Sequence, residues 1–207
     1  RDLISTGDQI HRIEGVFSGT LSYLFNSYDG STPFSQLVAQ ARELGFTEPD
    51  PRDDLNGMDM ARKILILARE AGYSLELSDI EIESLVPEEA HEVEGVDPFL
   101  KVLAHFDHEM EARFKQAQEA GKKLAYVARF DGEKATVKLD LLDATHPFFG
   151  LQAMDNILAV YSDHYDETPM VVRGPGAGVQ VTAGGVIADI LRIAETAPLL
   201  DAGRVRA

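Results

Sequence analysis

The sequence predicts an α+β fold, with helices packed on one face of a mixed, largely antiparallel sheet. Three observations carry that prediction. Apolar residues recur at helical spacing through most of the stretch before Gly121, period-two alternation takes over after Lys123, and Gly, Pro and Asp-Gly punctuation separates the segments. Taken in order, Leu3 and Ile4 before Gly7 read as a last helical turn with a glycine stop, and Gln9 to Phe17 as a strand. Ser18 is placed to cap a helix from Gly19 to Ser27, whose Leu21, Leu24 and Phe25 share a face with Tyr28. A second amphipathic helix spans Pro33 to Leu44 and stops at Gly45. From Phe46 to Gly57, Pro49 and Pro51 forbid a helix interior, which leaves a loop with a purpose or a solvated turn. Asn56 with Asp59 resembles a capping box opening a helix through Met60, Ile64, Leu65 and Ala68 to Gly72.

Ile80 to Leu85 alternates as a strand, and Glu88 to Gly95 reads as an acidic loop. Asp97 and Pro98 then start the longest helix, to about Ala120, with Phe99, Val102, Leu103, Phe106, Met110, Phe114 and Ala117 inward. Strands follow at Lys123 to Phe130, Ala135 to Leu142, Asn156 to Ser162 and Pro169 to Arg173, the first two joined by the turn Asp131-Gly132. Gly174-Pro-Gly-Ala-Gly178 leads into a last helix from about Val181 to Ala194. Apolar residues on both faces of Lys123 to Phe130 ask for two covering layers. The long helix supplies one, and a second copy of the chain is the candidate for the other, through a hydrophobic two-fold interface.

Composition narrows the function classes. With 19 Lys and Arg against 35 Asp and Glu, the 207 residues carry a formal charge of −16, which opposes nucleic acid and anionic membrane. The absence of Cys removes thiolate metal sites and cysteine nucleophiles and fits a reducing, cytoplasmic setting. No apolar run has the length of a membrane span, and no signal peptide is evident. The sequence opens at Arg1 within a helix end, so it is expected to be part of something longer.

The densest polar cluster is Glu48, Asp50, Arg52, Asp53, Asp54, Asp59 and Lys63. A solvated helix entry explains carboxylates there, each favourable by about 0.3–1 kcal/mol. The proline-stiffened loop, and Lys63 one turn after Asp59 on an otherwise apolar helix, point instead to an amine held beside carboxylates and able to deliver a proton. His105 and His108 are spaced three apart without a third ligand and read as surface residues.

The run Ala41-Arg-Glu-Leu-Gly45-Phe-Thr-Glu-Pro-Asp-Pro-Arg-Asp-Asp-Leu-Asn-Gly-Met-Asp59-Met-Ala-Arg-Lys63 resembles the signature of homoserine dehydrogenases at its alanine, glycine, proline, aspartates and terminal lysine. Ile13-Glu-Gly-Val-Phe-Ser-Gly-Thr-Leu-Ser-Tyr is similar to that family's substrate-site segment, and Gly174 to Gly178 to its return towards the nucleotide domain. The likeness extends to about residue 195 and is greatest to the C-terminal part of bacterial bifunctional aspartokinase and homoserine dehydrogenases. It implies hydride transfer between NAD or NADP and aspartate 4-semialdehyde, giving homoserine. It also implies roles by position. Lys63 would be the proton donor and Asp59 would orient the reacting end. Glu48 would meet the substrate amino group, Asp54 would complete a polar wall, and Gly19 and Thr20 would offer contacts to the substrate. Gly176 and Gly178 would lie by the cofactor, and no metal is implied.

No strand, G-x-G-x-x-G turn and helix occur in order, so these residues are expected to hold no Rossmann domain and to bind no cofactor alone. The expected division is a substrate-binding and dimerisation domain over 1–173, a return segment over 174–196 and a tail over 197–207. Two competing readings stand beside this one. One is a magnesium-dependent phosphoryl-transfer site on Asp50, Asp53 and Asp54, and the other a non-catalytic acidic dimerisation module.

Overall fold

The computed structural model describes residues 2–202 and divides into two compact units, Arg1–Gly174 and Pro175–Ala207. The first unit runs α1 (Asp2–Ser5), β1 (Ile10–Val16), α2 (Gly19–Ser27), α3 (Phe34–Glu43), α4 (Arg52–Leu55) and α5 (Met58–Glu70). It continues with β2 (Ile80–Ile82), α6 (Glu88–His91), α7 (Val96–Leu103), α8 (Asp107–Glu119), β3 (Lys123–Phe130), β4 (Ala135–Leu142), β5 (Asn156–Ser162) and β6 (Met170–Gly174). The second unit holds α9 (Val179–Ala202). No helix among the described residues is long and apolar enough to cross a membrane.

The strands form one mixed sheet in the order β2-β4-β3-β1-β5-β6. The β2–β4 pair is parallel and the other four neighbouring pairs are antiparallel. Strand β1 sits centrally, with Ile13 opposite Phe130 of β3 and Val160 of β5. Alternation sends Ile13, Tyr126, Ala128 and Val137 into a core with Leu21, Leu24, Val38, Ile64 and Phe99 of the helices. The α+β class and the one-sided helical layer are therefore as the sequence predicts.

Four local expectations change. The long helix is broken, because a 3₁₀ turn over 104–106 separates α7 from α8. That break accompanies a new contact, Asp107 accepting hydrogen bonds from the Ser35 backbone N–H (2.7 Å) and hydroxyl (2.6 Å) at the start of α3. The Phe46–Gly57 and Glu88–Gly95 segments each contain one helical turn, α4 and α6, entered from Pro51 and Pro87 where a missing N–H is harmless. Helix α9 begins at Val179 and continues past Ala194 to Ala202, while positions 203–207 of the expected tail lie outside the described residues. The sheet's second face needs no second copy to cover it. Phe148 and Leu151, from the segment between β4 and β5, pack on Val16, Ala125, Val127, Ile157, Ala159 and Tyr161.

Candidate active site

Helix α5 begins where only glycine fits. Gly57 has φ 74°, and a Cβ there would lie 2.3 Å from the Tyr126 hydroxyl oxygen and 3.0 Å from Ile82 Cγ2. The expected Asn56–Asp59 capping box is replaced by a shorter device, in which Asn56 Oδ1 accepts from the Met58 N–H at 2.8 Å. Asp59 is thereby free to pair along the helix. Met60, Ala61, Ile64, Leu65 and Ala68 bury one face of α5, and Lys63 emerges at its edge. Lys63 Nζ donates to Asp59 Oδ2 at 2.6 Å and to the Phe17 carbonyl at 2.9 Å. An ammonium has three N–H donors, so one is left for an oxygen brought by a ligand.

Phe17 directly follows the end of β1. Its ring folds back over Gly15, where a Cβ would come within 2.1 Å of two ring carbons and 2.9 Å of the Ile157 carbonyl. Ser18 follows as the cap of α2, its hydroxyl accepting from the Leu21 N–H at 3.2 Å. Three residues after Phe17, buried Thr20 holds a second arm. Its hydroxyl lies 2.6 Å from the Phe46 carbonyl and 2.7 Å from Asp54 Oδ1, and Asp54 Oδ2 accepts the Glu48 backbone N–H at 2.8 Å. Burial pushes the Asp54 carboxyl up, against the pull of these hydrogen bonds and with Glu48 and Asp53 as nearby like charges. The turn from Phe17 to Thr20 thus joins Lys63 and Asp59 on one side to Asp54 and Glu48 on the other.

The loop feeding α5 is braced, not merely solvated. Arg52 donates to both carboxylate oxygens of Asp50 and to the Val93 carbonyl at 2.6 Å, and its guanidinium lies 5.2 Å from the Phe99 ring centroid. The Arg52 hydrogen bond holds the Asp50 carboxyl below its ordinary value. Asp53 and Glu48 are exposed. Asp50 and Asp54 each face a different partner, and no three His, Cys, Asp or Glu side chains among the described residues converge as metal ligands. His105 and His108 are exposed, His108 Nδ1 sitting 2.9 Å from the His105 carbonyl. Gly19 lies against Met154. Gly176 and Gly178 belong to the second unit, where Gly178 has φ 137° and its carbonyl accepts from the Thr182 N–H at the start of α9.

The model of the family described as homoserine dehydrogenase matches residues 2–191. The chain belongs to the homoserine dehydrogenase family. It is 52% identical over 196 residues to a chloroplastic bifunctional aspartokinase/homoserine dehydrogenase 2 of Zea mays, covering 94% of this chain and 21% of that protein. It is 47% identical over 207 aligned positions to a homoserine dehydrogenase of Paracoccidioides brasiliensis, covering 94% of this chain and 55% of that one. Among solved structures, a putative homoserine dehydrogenase from Archaeoglobus fulgidus superposes with a TM-score of 0.74 at 25% identity, over 93% of this chain and 52% of that one. The chain therefore spans between a fifth and just over half of these relatives' length. The homoserine dehydrogenase match takes in both arms of the site.

Two contributors escaped sequence reasoning. One is the Phe17 carbonyl, a backbone group that no side-chain motif marks. The other is Asn156 at the start of β5, whose Nδ2 donates to the same carbonyl at 3.1 Å. They are 139 residues apart in sequence, and only the pairing of β1 with β5 brings them together.

Proposed function

We propose that this chain is the substrate-side part of an NAD(P)-dependent dehydrogenase that interconverts L-aspartate 4-semialdehyde and L-homoserine. The observation that carries this reading is the Lys63 ammonium, held by Asp59 and the Phe17 carbonyl with one N–H uncommitted. A nicotinamide held by the enzyme that contains this segment would supply the hydride-transfer chemistry at the substrate's terminal carbon. Reduction places negative charge on the former aldehyde oxygen, and Lys63 donates its proton there, a general-acid step supported by the fixed charge. In oxidation the neutral amine takes that proton back. Asp59 steadies the ammonium between turnovers. The Glu48 carboxylate receives the substrate amino group, while Gly19, Thr20 and Asp54 form the polar wall beside it.

The described residues do not fit a dinucleotide cradle. The turn from β6 to α9 reads Gly174-Pro-Gly-Ala-Gly178, in which Pro175 offers no N–H and the third glycine comes one residue too early for G-x-G-x-x-G. Gly176 and Gly178 are therefore proposed only to approach a cofactor whose main binding fold these residues do not supply. The cytoplasmic setting, descent from a bifunctional parent and assembly as a homodimer belong to the same proposal. The magnesium reading is set aside, because Asp50 is committed to Arg52 and Asp54 to Thr20 and the Glu48 N–H.

Titrating the labelled chain with homoserine, followed by NMR, should shift the amides of Thr20, Glu48, Asp54, Asp59 and Lys63. In the dehydrogenase that contains this segment, Lys63→Ala should lower turnover about 10²- to 10⁴-fold with a smaller change in KM. An unmoved spectrum at millimolar homoserine, or near-normal turnover of the variant, would sink the reading.

A further inference from the structure

We propose that Asn156 is a positioning residue for Lys63, acting through the one carbonyl oxygen on which both side chains converge. Phe17 O accepts from Lys63 Nζ at 2.9 Å and from Asn156 Nδ2 at 3.1 Å. A carbonyl oxygen has two lone pairs, so the two donors share it without competing for one direction, and each fixes where the other approaches. The other half of the Asn156 amide argues that this contact is what the fold retains. Its Oδ1 is buried with no protein hydrogen-bond partner among the described residues. An aliphatic side chain would fill the same space without an orphaned acceptor, so an amide held this way is explained by its donor, not by its volume.

The platform behind Asn156 is stiff. Ser22 Oγ donates to the Asp155 carbonyl at 2.8 Å and Asn26 Nδ2 to the Ala153 carbonyl at 2.9 Å, so successive turns of α2 grip the residues leading into β5. Ala153 itself adopts φ 53°, a left-handed conformation rare for residues other than glycine. Arg173 Nε holds Asp155 Oδ2 at 2.9 Å from β6. The Phe17 peptide is thus clamped from β5 on one side and by its own ring over Gly15 on the other. The consequence for Lys63 is that one of its three N–H directions is set by a braced carbonyl and a second by Asp59, which leaves the third for a ligand. The catalytic half of this inference rests on the proposed role of Lys63, whereas the positioning half does not.

The direct test measures hydrogen exchange of the Lys63 ammonium by ¹⁵N NMR in the 207-residue chain. Asn156→Leu removes the amide, and Asn156→Asp keeps its shape while replacing the donor with an acceptor. Either should speed Lys63 exchange about 2- to 13-fold, the span for losing one neutral hydrogen bond. The Lys123 ammonium, held by the Phe149 and Leu151 carbonyls, should stay constant and so excludes general loosening. Should Asn156→Leu fail to fold, Asn156→Asp alone carries the test. Unchanged Lys63 exchange in a folded variant overturns the proposal, as does a change shared equally by Lys123. In the containing dehydrogenase the same variants should lower kcat by a similar factor with KM within about twofold. Normal kcat beside an inactive Lys63→Ala refutes the role of Asn156 alone. Normal kcat in Lys63→Ala refutes the proposed function instead.

Discussion

Glu14 is the largest buried charge in the sheet, 2% exposed on the face away from the helices. Arg129 Nε lies 2.7 Å from it, His146 Nε2 3.2 Å and Arg12 Nε 3.5 Å. The Phe148 N–H donates to His146 Nδ1, which leaves the ring proton on Nε2, pointed at the carboxylate. Burial alone would raise the Glu14 carboxyl, but the His146 hydrogen bond and the charges of Arg129 and Arg12 outweigh it and hold the group below its ordinary 4.5. A depressed acid stabilises the fold above its unfolded pKa, and that contribution is lost as pH falls through the folded value. Urea midpoints should therefore decline as pH falls below the unfolded value of 4.5 and on through the lower folded one. In Glu14→Gln the decline should shrink, at a cost of about 3 kcal/mol at pH 7 for leaving Arg129 with Asp140 alone. An equally steep acid limb in the variant would show that other carboxylates, such as Asp8 and Asp50, carry it. Partners at positions 129 and 146 are invisible from position 14 in the sequence, whereas Lys63 and Asp59 sit one turn apart and could be read as a pair.

At the scale of elements, local signals were legible and borrowed ones were not. Ser18 caps α2 as its hydroxyl and position predict, and the strands after Gly121 follow their alternation. Helix α3 shows the limit. Its N-cap is Pro33, which makes no side-chain bond, and the missing acceptor comes from Asp107, 72 residues beyond the Ser35 N–H it accepts. The same residue lies just past the break between α7 and α8 that helical periodicity could not show. Asp107→Ala should remove both bonds to Ser35 and cost about 0.5–2 kcal/mol, the range for an N-cap. For a chain of this length each kcal/mol lowers Tm by about 2–4 °C. Asp107→Asn, which keeps one acceptor, should recover part of the loss. Equal melting of Asp107→Ala and the parent would remove Asp107 from the account of how α3 begins.

The whole molecule raises the question of the second copy. Sequence alternation showed apolar residues on both faces of β3, which was correct, but the inference that another chain must cover the outer face overlooked the segment between β4 and β5. Its periodicity is neither helical nor alternating, so Phe148 and Leu151 gave no sign that they would fold back as a lid. What that face leaves to solvent is mixed, with Lys138 exposed beside half-buried Arg129 and Asp140, and Val171 exposed on β6 opposite Ala159. Each copy also carries a charge of −16. Two such chains repel over a screening length of about 10 Å at 0.1 M salt, and less as salt rises. The proposed homodimer should consequently be a screened one, unlike an apolar obligate interface. Sedimentation equilibrium at micromolar concentration should give twice the 22.7 kDa chain mass at 0.3 M salt and a lower average mass at 0.02 M. A dimer indifferent to salt would point to apolar burial and return the outer face to consideration. A 22.7 kDa particle under both conditions would reject the dimer while leaving the site at Lys63 untouched, because every bond that shapes it comes from one chain.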